Sequence, residues 1–352
     1  MRVSIFLTSL AQTVGVVALG LASTLLFASA CHANWYEHDE DVMGTKAKLR
    51  FFYTDAKAAQ AQKIMQDGLA EFERINQLWS PYIPNSELSI INQLPVGKRL
   101  RISKESYDMI QHALAYSRKT QGAFDITIYT LSQHYDYQKR KKPQAQKASA
   151  AVQTLGYDGL RLTADADNFY LSKRKEVSID LGGIAKGYAI DQVIKIFQAA
   201  NIRDAMVSLG GDSRALGNNR GEGWWVGIKK PRGEGVALRF PISNAAFSTS
   251  GDYERYFIDA QTGTHYHHIL DPKKGQSAST VTSATVLGPK GLDTDALSTS
   301  IFVLGVEKGL SLIGELEGFE AIMIDAYGKV HYSDGLVPAA EITPSPRDAK
   351  RD

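Results

Sequence analysis

Cysteine is almost missing from this sequence. Cys31 is the only one in 352 residues, so no intramolecular disulfide can form and stability has to come from packing. An excess of one charge is missing too. Forty Lys and Arg stand against 38 Asp and Glu, a formal net charge of +2, with no long basic stripe. That balance gives no footing for nucleic acid. Three familiar signatures are absent: Gly-x-x-x-x-Gly-Lys-Ser/Thr, Gly-x-Gly-x-x-Gly and Gly-x-Ser-x-Gly. Phosphate-loop, dinucleotide-turn and hydrolase-elbow readings lose their usual support. With 43% hydrophobic and 22% charged residues, the chain has an ordinary globular composition, and its length allows one large domain or two closely packed ones.

Long apolar runs are confined to the N-terminus. Arg2 precedes an apolar stretch from Val14 to Phe27, and the small residues Ala28-Ser29-Ala30-Cys31-His32-Ala33 follow. This pattern reads as a secretory signal over residues 1–33, with cleavage after Ala30 or Ala33. Gly15, Gly20, Ser23 and Thr24 weigh against a membrane span. Cys31 sits where a lipid-modified cysteine would sit, so a lipid anchor and simple cleavage are both open.

Mixed elements follow. Lys46–Tyr53 reads as a strand, and Thr54-Asp55 offers a cap for a helix over 56–79 with Met65, Leu69, Phe72, Ile75 and Trp79 on one stripe. Ser103 caps a helix over 104–119. The basic stretch Gln138–Lys147 reads as a solvated loop. Val177–Ile179 and Ala205–Leu209 are strand-like. Trp224–Lys230, Val236–Ile242, Ala245–Thr249 and Arg255–Ile258 look like consecutive antiparallel strands. Thr280–Leu287 predicts a core strand, 292–304 and 307–316 predict helices, and 321–325 with 329–332 predict a closing hairpin. The mixture indicates an α+β class rather than a doubly wound sheet, with a polar tail at 341–352.

The stretch organising the chain is Val177–Asp191, VSIDLGGIAKGYAID. An apolar strand end runs into Asp180, a Gly182-Gly183 turn follows, and a helix then begins with Lys186 one turn in. Glycine lets backbone approach a phosphate, and the first N–H groups of a helix attract anions. A sharp corner with a solvated lysine is the plainer account. Farther on, Asp295, Ser298 and Thr299 share one helix face. A carboxylate and two hydroxyls suit a hard cation such as Mg²⁺, although by spacing alone a helix-start cap is the simpler account. His265, His267 and His268 fall in one short segment. Nothing there completes a tetrahedral zinc set, and one histidine acting as a general base fits better. Ser248-Thr249-Ser250-Gly251 lacks a recognisable base for a serine hydrolase.

The order of several short motifs resembles the ApbE family of FAD:protein FMN transferases. They are Met43-Gly44-Thr45, Ser86-Glu87-Leu88, Gly122-Ala123-Phe124-Asp125, the central stretch, Leu209-Gly210-Gly211-Asp212, Ser248–Asp252, His267–Pro272 and Asp295–Thr299. The likeness runs from about Trp35 to Tyr332 and implies one flavin transferase domain over 35–340, an α+β ApbE-like fold with mixed antiparallel sheets and packed helices. It implies an exported, periplasmic enzyme, sometimes lipid-anchored on the inner membrane. Such an enzyme uses FAD as substrate and Mg²⁺ as cofactor to attach FMN to a Thr or Ser of a target protein. The implied acceptors are flavin-carrying subunits of the sodium-translocating NADH:quinone reductase or of Rnf-type complexes. By position, Met43, Tyr82, Ala123, Phe124, Asp125, Asp180, Lys186 and Ile269 would contact the flavin nucleotide. The Gly183 carbonyl, Asp295 and Thr299 would ligate the metal, and His268 would serve catalysis, with Asp125 and Asp180 as alternative bases. Ser298 stands where some relatives carry an acidic residue. An FAD pyrophosphatase and a flavin-storage protein are the competing readings.

Overall fold

A computed structural model describes residues 34–54 and 58–336. The signal-like run with Cys31, Asp55 of the expected cap and the polar tail lie outside these residues.

Eight strands make one sheet and cross it in chain order: Asn34–Val42, Thr45–Tyr53, Ala205–Leu209, Asp212–Leu216, Ala246–Gly251, Val281–Gly288, Glu320–Asp325 and Val330–Tyr332. Every neighbouring pair is antiparallel. Alternation along each strand gives the sheet two different faces. In Thr45–Tyr53, Ala47, Leu49, Phe51 and Tyr53 are buried on one face. Phe52 turns to the other, where its ring centre lies 5.3 Å from that of Trp35, which in turn lies 5.5 Å from that of Trp224. That second face is covered by a hairpin of Trp224–Lys229 and Val236–Ile242.

Helices cover the first face. The described residues hold α1 (Ala58–Trp79), α2 (Glu87–Gln93), α3 (Lys104–Lys119), α4 (Tyr129–Ser132), α5 (Ala145–Thr154), α6 (Ala185–Ala199), α7 (Gly291–Leu304) and α8 (Val306–Gly314). The apolar stripe of α1 (Met65, Phe72, Ile75, Trp79) is buried, and Phe197 of α6 packs 4.9 Å from Phe51. α7 and α8 pack on Val281–Gly288 and Glu320–Asp325. Ser103 caps α3 as expected, its hydroxyl accepting Ser106 N–H at 3.1 Å. The architecture is the expected α+β class.

Three local expectations are corrected. Val177–Ile179 joins no sheet, because side chains occupy the place of a neighbouring strand, as described below. The run of four strands after residue 224 does not form one meander. Its first two make the separate hairpin, Ala246–Gly251 enters the centre of the main sheet, and Tyr256–Ile258 pairs with His265–His267. The basic stretch is only partly loop, since α5 begins at Ala145 and Asp136 bridges Lys141.

Candidate active site

A cavity of about 610 Å³ opens beside the end of α1, the start of α6 and the middle of α7. The twelve residues that the resemblance assigns to the site line it: Met43, Tyr82, Ala123, Phe124, Asp125, Asp180, Gly183, Lys186, His268, Ile269, Asp295 and Thr299; Ser298, His265 and His267 do not. A smaller recess of about 490 Å³ adjoins it behind the Met43–Gly44 turn.

Asp180 reaches the cavity on an extended segment held by an amide side chain. Asn92 Oδ1 accepts Ile179 N–H at 2.7 Å and its Nδ2 donates to Ile179 O at 2.9 Å. Thr130 Oγ1 accepts Ser178 N–H at 2.9 Å, and Asp180 N donates to Ile126 O at 2.9 Å. These bonds satisfy the backbone without a ladder, so an apolar β-like sequence stays outside every sheet. Asp180 Oδ1 accepts Gly182 N–H at 2.8 Å. Burial pushes the Asp180 pKa up, opposed by Gly182 N–H, Arg255 and Lys186.

The start of α6 is less free than its sequence implies. Ile184 N and Ala185 N both bond Leu181 O, and Gly187 N–H is taken by Asp295 Oδ2 at 3.0 Å. The anion at this helix N-terminus is therefore a carboxylate of the chain itself. α6 and α7 cross where neither carries a side chain: a Cβ on Gly187 would fall 2.0 Å from Gly291 O. Asp191 of α6 caps α7 across this crossing, accepting Gly291 N–H at 2.9 Å and Leu292 N–H at 3.0 Å, and it pairs with Arg214. Asp295 lies a full turn inside α7 and bonds another helix, so it is not the cap of its own helix.

Lys186 Nζ lies 3.1 Å from both Asp295 oxygens and 2.8 Å from Asp212 Oδ2. Burial works against its charge, but the two carboxylates outweigh burial and raise its pKa. Burial and the neighbouring Asp212 push Asp295 up, while Lys186 and Gly187 N–H pull it back. Asp212, 2% exposed, went unassigned from the sequence; only folding brings it to Lys186.

Besides Lys186 Nζ and Gly187 N–H, hydroxyls stand near Asp295. Ser250 Oγ lies 2.9 Å from Ser298 Oγ and 3.3 Å from Thr299 Oγ1. Gly183 comes so close that a Cβ on it would sit 3.4 Å from Thr299 Oγ1 and 3.2 Å from Phe124. A buried carboxylate and hydroxyls are the hard oxygen donors that a small cation takes, and a cation, the Lys186 ammonium, already stands on both Asp295 oxygens. Among the described residues no group of three or more His, Cys, Asp or Glu is placed to hold a metal.

The two alternative bases differ. Asp125 Oδ1 accepts Thr127 N–H and its hydroxyl at 2.8 and 2.7 Å, and Oδ2 accepts Tyr157 N–H at 2.9 Å. Both oxygens accept hydrogen bonds that hold the loop, and Asp125 also lines the cavity wall. His268 is held by its N–H to Arg255 O at 3.1 Å, and its ring opens to the cavity. Desolvation at the cavity wall, with Arg255, His267 and Lys186 nearby, lowers its pKa below the usual histidine value. It is neutral at physiological pH. His267, on the opposite side of the backbone, is buried with Nε2 2.7 Å from Ala278 O. Sequence reasoning also missed Arg255, which bridges the cavity by donating from Nη2 to Gly44 O at 3.1 Å; an arginine in a strand-like run carried no signal.

The cavity places a histidine on the same wall as a buried cluster of carboxylates and a lysine, in an α+β fold. The sequence matches the ApbE family over residues 43–323, and the chain belongs to that family. It is 30% identical over 311 residues to the FAD:protein FMN transferase of Haemophilus influenzae, covering 85% of this chain and 88% of that protein. It is 28% identical over 325 residues to the FAD:protein FMN transferase of Treponema pallidum, covering 87% and 89%. Among solved structures it resembles the ApbE protein of Thermotoga maritima, with a TM-score of 0.77, 30% identity and coverage of 86% of this chain and 97% of that one. It also resembles the flavin transferase ApbE of Vibrio cholerae, with a TM-score of 0.75, 27% identity and coverage of 86% and 98%.

Proposed function

We propose that this protein is an FAD:protein FMN transferase that moves FMN from FAD to a Ser or Thr of a separate protein and releases AMP. The observation carrying the reading is the joining, in one cavity, of His268 with the Asp295–Lys186–Asp212 cluster, in a chain whose relatives bear that activity. His268 accepts the proton of the acceptor hydroxyl. That oxygen forms a bond to the FMN phosphorus, and the phosphorus–oxygen bond to AMP breaks. Lys186 and Arg255 supply positive charge to the diphosphate. Asp295, Thr299 and the Gly183 carbonyl would hold Mg²⁺, which when bound offsets charge on the leaving AMP phosphate. Met43, Tyr82, Ala123, Phe124 and Ile269 supply an apolar and aromatic wall for the flavin nucleotide.

The signal-like N-terminus supports export to the periplasm, with Cys31 as a candidate lipid anchor. Flavin-carrying subunits of membrane redox complexes, of the sodium-translocating NADH:quinone reductase or Rnf type, are the proposed acceptors. The test incubates the protein with FAD, Mg²⁺ and a purified flavin-acceptor domain, followed by mass spectrometry. One FMN phosphoryl unit on a Ser or Thr, absent with Asp295→Ala, supports the reading. An unmodified acceptor with FAD split to FMN and AMP would make the protein an FAD pyrophosphatase instead.

A further inference from the structure

We propose that the free edge of the Tyr256–Ile258 strand is the docking rail for the acceptor polypeptide, which pairs with it as an extended strand and passes its receiving Ser or Thr into the cavity. The proposal rests on the transferase reading.

Among the described residues this strand pairs on one side only, with His265–His267. The parity of the ladder is set at its two ends. His268 N donates to Arg255 O at 3.1 Å, and Asp259 N donates to Thr264 O at 2.9 Å. Arg255, Phe257 and Asp259 therefore turn their backbone groups toward the existing partner, and Tyr256 and Ile258 turn theirs to the opposite edge. Their side chains are 47% and 56% exposed, whereas Phe257 between them is buried. An edge strand is ordinarily blunted by Lys, Pro or a bulge. This one instead presents an apolar, β-forming edge, the form that extended peptides extend by strand addition.

Its position selects the occupant. Phosphoester transfer to a protein requires a polypeptide hydroxyl beside His268, and this edge is continuous with that place. Glu254 and Arg255, immediately before the strand, line the cavity, and His268 is the ladder partner of Arg255. Strands lie about 4.8 Å apart, so an added strand opposite Arg255 runs roughly 10 Å from His268. The receiving hydroxyl thus belongs a few residues beyond the paired segment, where the acceptor bends over the cavity mouth. The partner is defined by chemistry: an extended segment with alternating apolar side chains that leads into a flexible, Ser- or Thr-bearing stretch.

Ile258→Pro removes an outward N–H that the existing ladder does not use, a position where an edge strand tolerates proline. Ile258→Lys and Tyr256→Lys add the charge that blocks strand addition. The probe is a purified flavin-acceptor domain of a membrane redox-complex subunit, with FAD affinity and thermal melting measured in parallel. The expected result is a KM for the acceptor raised roughly tenfold or more in each variant, with FAD affinity and melting unchanged. Acceptor KM unchanged in well-folded Ile258→Lys and Tyr256→Lys overturns the rail while leaving the transferase reading intact. Should Ile258→Pro fail to fold, the two lysine variants decide. Failure of the unaltered protein to label the acceptor while splitting FAD to FMN and AMP overturns the transferase reading and the rail with it.

Discussion

His268 and His267 are neighbours in sequence with opposite surroundings. His268 faces the cavity, and the lowering of its pKa leaves the ring neutral and able to accept a proton through the neutral range. His268→Ala is expected to lower kcat for FMN transfer by ~10²–10⁴-fold while FAD binding persists, checked by single-turnover labelling and FAD titration. In the same assay, the acid limb of kcat/KM for FAD should fall well below pH 6; a limb centred on 6.5 would contradict the assignment. His267 is 2% exposed, and burial lowers its pKa to about 4. Below pH 6.5 the unfolded chain binds a proton there that the folded chain refuses. Stability therefore falls as pH drops from 6.5 toward 4, approaching about 1.4 kcal/mol per pH unit for this group. Denaturant melts across that window check it, and His267→Gln should flatten the slope.

At the scale of elements, the α6–α7 crossing carries the site. Gly187, Gly291 and Asp191 are ordinary helix residues in a sequence, but here they fix which faces of the two helices meet. Gly187→Ala forces a methyl against the Gly291 carbonyl, an overpacking that costs about 1–3 kcal/mol or more. It should lower the melting temperature and also weaken FAD binding, since Asp295 moves with α7. Lys186→Met leaves Asp295 and Asp212 buried without their cation; breaking such a pair costs about 3–5 kcal/mol. Mg²⁺ should return part of that loss in thermal melting. No response to Mg²⁺ would count against a metal at Asp295.

For the whole molecule, the sheet separates two jobs. Helices and the cavity share one face; the Trp224–Ile242 hairpin seals the other through Trp35, Phe52 and Trp224. Trp224→Ala should cost about 3–5 kcal/mol of stability and leave FAD affinity unchanged. A fall in affinity equal to that of the cavity variants would show the two faces to be coupled.

The sequence by itself determined the helices with clear stripes and caps, such as α1 and α3. It also determined the α+β class and a set of short motifs whose order resembles one family. These are local or ordered features, and periodicity and spacing encode them directly. Only the tertiary structure decided that Val177–Ile179 stands outside the sheet, because the Asn92 amide that replaces a strand neighbour comes from 87 residues away. It also decided that Asp295 bonds α6 instead of capping α7, that Asp125 ties its loop to Tyr157, and that Asp212 and Arg255 join the cavity. Each of these outcomes depends on which distant group fills a hydrogen bond or balances a charge, and spacing along the chain holds no record of that.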